Sequence, residues 1–339
     1  MKALVYQAPG KIKLSNVPLP ELKSGFARIK VKYCGICGGD MGIYAGTHPR
    51  AKSQLIPGHE FVGVVEEIKD SKKGFSKGDR IVPFPLISCG DCISCRTGKP
   101  YICQTLRLIG IDLNGGMAEY AIVSEEQLVR LNEELPDQIA ALIEPFAVAV
   151  RAVHQSKFAF LDKALIMGAG PIGILTALTL RHNGALKIII SDIDDTRIRF
   201  CRDMGFTCVN SNKINLQEYI TKETSGDGMD FVFECSGTET ATFEATKLAR
   251  MQGTICMVGI HKEPHVSNLP ELSFKEQTII ATRDYSRQEF ERAAEYAIEM
   301  KDELEQLISQ IVPLNQAESV FEMIKDIDIE TVKVLINCT

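Results

Sequence analysis

Residues 163–192 read "KALIMGAGPIGILTALTLRHNGALKIIISD", and no other stretch of the chain narrows the fold so far. A short apolar run of strand character ends at Gly168. A longer apolar run of helical character follows and is closed by Gly184, and a second apolar strand ends on Asp192. At the first junction Gly168, Ala169, Gly170, Pro171, Ile172 and Gly173 fit G-x-G-x-x-G. Gly168 permits a tight turn, Gly170 lets backbone approach a pyrophosphate, and Gly173 lets helix and strand pack closely. Pro171 suits the first helical turn, and the free N–H groups of that turn favour phosphate. Nineteen residues beyond Gly173, the Asp192 carboxylate is placed to accept hydrogen bonds from a ribose and to repel a 2′-phosphate. NAD is therefore expected over NADP, with Arg197 close enough to soften that preference. The competing explanation is that these glycines serve helix packing alone.

The texture on either side predicts two domains, as a length of 339 residues allows. Before residue 150, "KALVY", "FARIKVKY" and "FVGVVEEI" read as strands between Gly and Pro clusters. Beyond Lys163, strands alternate with helices through "DTRIRFCRDMG", "MDFVFECSG", "TATFEATKLAR" and "GTICMVG", which implies a parallel, doubly wound sheet. A long helix, "RQEFERAAEYAIEMKDELEQLI", and a closing strand, "TVKVLIN", then return to the first style. The expected domains are 1–150, completed by 283–339, and 151–282.

A net charge of −6 with interspersed signs gives nucleic acid or an anionic membrane no electrostatic support. No apolar run reaches the ~18–20 residues of a membrane span. The start, "MKALVYQAPGKIKL", lacks the apolar stretch of a signal peptide, so a cytoplasmic location is expected.

Eleven cysteines in a reducing compartment point to packing groups, metal ligands or nucleophiles rather than disulfides. Cys89, Cys92, Cys95 and Cys103 crowd into "CGDCISCRTGKPYIC" at x2, x2 and x7 spacing. Four thiolates on one polar loop suit a closed, structural tetrahedral zinc; an iron–sulfur cluster is the competitor. Cys34 and Cys37, in "CGICGGD", form a Cys-x-x-Cys pair that fits a redox dithiol, half a zinc finger, or one ligand of a catalytic metal. Candidate partners for the last case are His59 and Glu60 in "PGHEFVGVV" and Glu144 in "ALIEPFAV". A carboxylate in so apolar a run is costly to bury without a cation.

These marks together, "GICGGD", "GHE", the four-cysteine lobe, "GGMAEY", "EPFAV", "GAGPIG" and the closing "KVLI", resemble the zinc-dependent medium-chain alcohol and polyol dehydrogenases over essentially the whole chain. The resemblance implies a GroES-like, mostly β catalytic domain beside a Rossmann domain. It implies a catalytic zinc held by Cys37, His59 and Glu60 or Glu144, with Asp40 supporting the histidine from behind. It assigns Cys34 no ligand role. "YAGTHPRAK", "EPFAVAV" and "ATRDYSRQEF" look most like bacterial sugar-acid and polyol dehydrogenases, including the L-gulonate and L-galactonate 5-dehydrogenases and the starvation-sensing branch. Arg283 then falls at the substrate pocket, where a guanidinium could pair with an aldonate carboxylate. His48 borders that pocket, and His154 follows the domain crossover. Similar enzymes form dimers or tetramers.

The implied chemistry is zinc-assisted ionisation of a secondary hydroxyl, followed by hydride transfer to NAD and release of a ketone. Family members relay the proton through a Ser or Thr two residues after the cysteine ligand and a His three further on. Here those positions are Gly39 and Gly42. Either protons leave by water, Glu60, Glu144 or a substrate group, or the chain binds NAD and zinc with little turnover, as a sensing protein. A structural protein on a dinucleotide fold is a third reading, and it needs no second zinc.

Overall fold

The computed structural model describes residues 1–326 and 331–339. They form two compact units, one of Met1–Glu144 with Ser286–Thr339 and one of Pro145–Tyr285.

The first unit is built on a seven-stranded sheet. Its longest strand, Phe26–Gly35, alternates as a half-buried strand must: Ala27, Ile29 and Val31 are buried and Lys30 is exposed. Glu60–Ile68 and Tyr120–Ser124 both pair antiparallel to it. Arg80–Pro83 and Leu128–Arg130 extend the sheet on one side. On the other, the final strand Lys333–Asn337 pairs antiparallel to Phe26–Gly35, with Leu335 opposite Gly35, and parallel to Ile308–Pro313. Residues 300 or more positions apart are thereby paired side by side in the sheet.

The single long helix expected after residue 286 is two. Arg287–Glu299 starts on a capping box made by Ser286 and Glu289 and ends at Met300, and Lys301–Glu305 follows. The buried phase persists through Phe290, Ala293, Ala297, Met300 and Leu304. The parallel ladder to the last strand then claims Ile308 and the residues after it. Ladder hydrogen bonds outweigh local helix propensity there.

The second unit holds six parallel strands. In spatial order they are Thr207–Asn210, Lys187–Asp192, Lys163–Met167, Met229–Glu234, Ala249–Met257 and Thr278–Ala281. In sequence order this is 3-2-1-4-5-6, the doubly wound arrangement of dinucleotide-binding sheets. Helices Pro171–His182, Asp195–Asp203, Leu216–Glu223 and Glu239–Leu248 connect the strands. Leu165, Ile189, Val232 and Ile255 fill the core as the continuous apolar runs of a sheet covered on both faces. The strand order reverses between Lys163–Met167 and Met229–Glu234. The turn at Gly168 lies at that switch point, where ligands of open α/β sheets bind.

Candidate metal and dinucleotide sites

In the first unit Cys37 caps the short helix Gly38–Tyr44, and its Sγ accepts from Gly39 N at 3.4 Å. Asp40, fully buried, completes a capping box by accepting from Cys37 N at 2.9 Å. Its other oxygen accepts from Gly58 N at 3.3 Å, so one carboxylate ties the Cys37 loop to the loop carrying His59. That oxygen lies 3.9 Å from His59 Nδ1, beyond hydrogen-bond reach. The support Asp40 gives the histidine therefore runs through backbone. Burial raises the Asp40 pKa, and His59 opposes the rise.

The sulfur of Cys37, one nitrogen of His59 and one oxygen of Glu60 all lie within 4.8 Å of one another. Burial by itself would lower the His59 pKa. Cys37, hydrogen-bonded to it, with Asp40 and Glu144, outweighs burial and carries the pKa well above the ordinary histidine value. An anionic set that holds a proton this firmly stabilises a cation, and a Cys–His–carboxylate donor set suits zinc. Glu144, in the first turn of Ile143–Ser156, is buried and acts electrostatically on both His59 and Lys333.

Two residues of this site carried no signal in the sequence beyond the "KVLI" motif and a strand glycine. Lys333 is buried, and its Nζ lies 2.7 Å from Glu60 Oε1 and 2.5 Å from Oε2. A Cβ on Gly35 would stand 2.2 Å from Glu60 Oε2, so glycine makes room for that carboxylate. Cys34, one strand position earlier, is buried with its thiol on the Gly35 carbonyl at 3.7 Å, apart from the metal-capable group.

A Cβ on Gly39 would meet nothing nearer than His59 Cε1 at 3.8 Å and Cys37 Sγ at 3.9 Å, so a side chain fits beside the site. Gly42 faces Thr47 and His48. His48 Nδ1 accepts from Arg50 N and Ala51 N, both at 3.3 Å, which leaves Nε2 as the protonated nitrogen. Burial and the Arg50 charge lower its pKa, against Asp112. Arg283 belongs to the second unit, is largely exposed, and sets its Nε 3.3 Å from Asp284. His154 is exposed in the last turn of its helix.

The four-cysteine lobe gathers its thiols tightly. Cys89–Cys103, Cys92–Cys95, Cys92–Cys103 and Cys89–Cys95 sulfurs are 3.4, 3.5, 3.8 and 3.9 Å apart. Zn–S bonds of ~2.3 Å give a tetrahedron with edges of about 3.8 Å. An iron–sulfur cluster seats each thiolate on its own iron and spreads the sulfurs further, so the geometry fits one ion. Backbone N–H groups of Gln104 and Cys95 hold the Cys92 thiol down at about 6, while burial and the Cys92 thiol push Cys95 up to about 11. Metal uptake at neutral pH must then displace protons and weaken as pH falls. Adding zinc to metal-free chain at pH 7 in weak buffer is expected to release at least about one proton per lobe. Zinc retention measured by a chromophoric chelator should drop between pH 7 and 5; a pH-independent affinity would contradict this.

In the second unit Gly168 has φ +109°, open to glycine alone, and a Cβ there would press on the Cys235–Ser236 backbone. A Cβ on Gly173 would lie 1.9 Å from the Gly168 carbonyl oxygen. Gly170 differs: a Cβ there would meet no protein atom within 4 Å. Packing explains two of the three glycines, and no protein atom requires the third. Pro171 and Ile172 open the helix behind it. Asp192 ends its strand with Oδ2 accepting from Ala169 N at 2.6 Å and Oδ1 from Asp194 N at 2.9 Å. It is thus locked to the glycine-rich turn, with lone pairs remaining for a ribose. Arg197 Nη1 stands 3.8 Å from Asp192 Oδ2, at the adenosine end expected of this motif.

Residues 23–133 match the alcohol dehydrogenase GroES-like domain, and 171–299 match the zinc-binding dehydrogenase domain. A 2-dehydro-3-deoxy-L-galactonate 5-dehydrogenase of Pseudoalteromonas atlantica is 35% identical over 93% of this chain and 92% of its own. The chain belongs to the zinc-type medium-chain dehydrogenases. It is an oxidoreductase acting on CH–OH groups, with a GroES-like unit and a Rossmann unit. The starvation-sensing protein RspB of Escherichia coli is 31% identical over 84% of each chain. A putative zinc-binding dehydrogenase from Sinorhizobium meliloti, solved bound to NADP, superposes with TM-score 0.93 at 30% identity, covering 99% of this chain and 98% of that one. No helix among the described residues is long and apolar enough to cross a membrane.

Proposed function

We propose that this dehydrogenase oxidises a secondary hydroxyl of a sugar acid or polyol, such as L-gulonate or L-galactonate, to a ketone. It uses NAD and two zinc ions per chain, one catalytic and one structural. The observation that carries this reading is the Cys37–His59–Glu60 group, with His59 and Glu60 buried and Cys37 half-buried, in a chain that also has the glycine turn at 168–173. The sugar-acid dehydrogenase at 35% identity supports the substrate class.

Bound at Cys37, His59 and Glu60 or Glu144, zinc would supply Lewis acidity that lowers the pKa of a substrate hydroxyl, and NAD would accept the hydride. The chain's own residues do the rest. Asp40 holds the two ligand loops in register. Gly168, Gly170, Pro171, Ile172 and Gly173 receive the pyrophosphate, and Asp192 takes the ribose, which favours NAD; Arg197 would tolerate NADP. Arg283 would pair with the substrate carboxylate, and His48 is a second candidate for contact with substrate. The Cys89, Cys92, Cys95 and Cys103 lobe holds the structural ion. The protein works in the cytoplasm as a homo-oligomer, dimer or tetramer, with small molecules as its partners.

Zinc-loaded protein mixed with NAD or NADP and a panel of aldonates and polyols should form reduced cofactor, faster with NAD. Silence across the panel, with normal NAD binding, would favour the second reading: an NAD- and zinc-binding sensing protein. Bare Gly39 and Gly42 and the likeness to RspB are what favour that reading. Gly39→Ser adds a hydroxyl where there is room for one. General acid–base help is worth ~10²-fold or more, so a rise in kcat of about 10-fold or more is expected from partial recovery. An unchanged kcat means protons already leave by another route.

A further inference from the structure

Within the first unit, the short helix Gly38–Tyr44 carries Gly39 and Gly42 one turn apart, so one of its faces lacks side chains there. At one end of that face a Cβ on Gly39 would meet His59 and Cys37. At the other a Cβ on Gly42 would meet Thr47 Oγ1 at 3.7 Å and His48 Cβ at 3.9 Å. The loop carrying His48 is folded back onto the helix, since Thr47 N and His48 N donate to the Gly42 carbonyl at 2.9 and 3.1 Å. Just beyond, Arg50 is anchored: it donates to Leu106 O at 2.7 Å and stands 3.0 Å from Asp112 Oδ2. Backbone on both sides therefore places the His48 ring.

The partners of that ring settle its chemistry. Backbone N–H groups only donate, so Nδ1, which takes both Arg50 N and Ala51 N at 3.3 Å, turns its lone pair to them. The proton of neutral His48 is then on Nε2. Among the described residues Nε2 has no partner, and it is not sealed from solvent. A second proton would have to sit on Nδ1, facing two N–H groups, at the cost of both bonds. Burial, Arg50 and His59 act the same way; they outweigh Asp112 and hold the pKa below the ordinary histidine value. His48 is thus a poor base and a ready donor.

We propose that His48 is a specificity-determining residue: its Nε2–H donates to a second oxygen of the substrate, and it takes no part in carrying the proton away. This rests on the substrate reading given above and deepens it by naming what the site selects. A polyol offers a further hydroxyl as the acceptor, and an aldonate a hydroxyl or its carboxylate. A simple secondary alcohol offers neither. A site built to hydrogen-bond a substrate group rejects the analogue that lacks it. The proton of the reacting hydroxyl leaves by a route without His48.

The test compares His48→Gln with His48→Phe in the zinc-loaded, full-length chain. The first keeps a donor near the place of Nε2 and cannot take up a proton; the second keeps a ring and has no donor. With the best aldonate and polyol of the panel, His48→Phe should raise KM about 5-fold or more, the worth of one hydrogen bond. Its kcat should stay within about 2-fold of the parent, because that bond forms in ground and transition state alike. His48→Gln should stay within about 2-fold of the parent in both, and kcat/KM for cyclohexanol should hold in either variant. The pH profile of kcat should keep its shape. A fall in kcat of about 10-fold or more in both variants, with a displaced pH profile, would make His48 a proton carrier and overturn the proposal. An unchanged KM in His48→Phe would overturn it too. Proton–nitrogen NMR of the parent needs neither variant nor turnover. It should show the Nε2–H tautomer, with Nε2 moving when L-gulonate is added to the zinc-loaded chain; an Nδ1–H tautomer or an unmoved Nε2 overturns the assignment. A parent that oxidises nothing in the panel instead removes the substrate reading, and the spectra still decide His48.

Discussion

Replacing Cys37 with alanine is expected to remove one of two zinc ions per chain and to lower kcat by about 10³-fold or more. The Lewis-acid contribution of a catalytic metal is several kcal/mol, and each ~1.4 kcal/mol is a factor of ten in rate. Loss of the thiolate removes an anionic donor, the acceptor for Gly39 N, and the charge that contributes most to holding a proton on His59. The His59 pKa should fall, because burial then acts against fewer opposing charges. Metal analysis, steady-state kinetics and NMR titration of His59 in metal-free protein check the three parts separately. Cys34→Ala provides the contrast: its thiol lies in the core, outside the metal-capable group, so metal content should not change. Two metals in Cys37→Ala, or turnover within 10-fold of the parent, would remove Cys37 from the site.

The second large effect concerns the glycine turn. Gly173→Ala drives a methyl to 1.9 Å from the Gly168 carbonyl oxygen, which is backbone and cannot rotate away. Overpacking of this kind costs ~1–3 kcal/mol, here at the upper end, so Tm should fall by roughly 5–10 °C at about 2–4 °C per kcal/mol. The helix start must shift as well, and NAD affinity should drop at least about 10-fold. Gly170→Ala separates packing from binding. Its methyl meets no protein atom, so Tm should hold while NAD binding weakens. If both variants lose stability equally and neither loses NAD, the glycines serve packing alone and the dinucleotide reading fails.

Much of this was legible along the chain because the chemistry is local there. The four thiols of the lobe span fifteen positions, and their spacing pointed to a wrapped ion with an iron–sulfur cluster as the competitor; sulfur–sulfur distances of 3.4–3.9 Å fit a single ion. The turn at 168–173 could be read because strand, glycines and helix are contiguous. Gly170 nonetheless needed the structure, since only a built Cβ shows that nothing in the protein requires a glycine there. The helix after Ser286 was read too long. Periodicity reports which face is buried, and that face does continue through Met300 and Leu304; it does not report that Ile308 will be taken by a strand.

By itself the sequence determined the two kinds of unit, the thiol lobe, the dinucleotide turn and a short roster of possible ligands for one metal. Each of those depends on residues within a few dozen positions, where backbone geometry links spacing to placement. Tertiary structure alone decided how that roster is arranged. Lys333 meets Glu60 across 273 residues, Asp40 joins two loops through their backbone, and Gly35 yields space to a side chain on the neighbouring strand. The physical reason is that a buried charge is tolerable only beside its partner, and sheet pairing between the first and last segments of the chain is what delivers the partner.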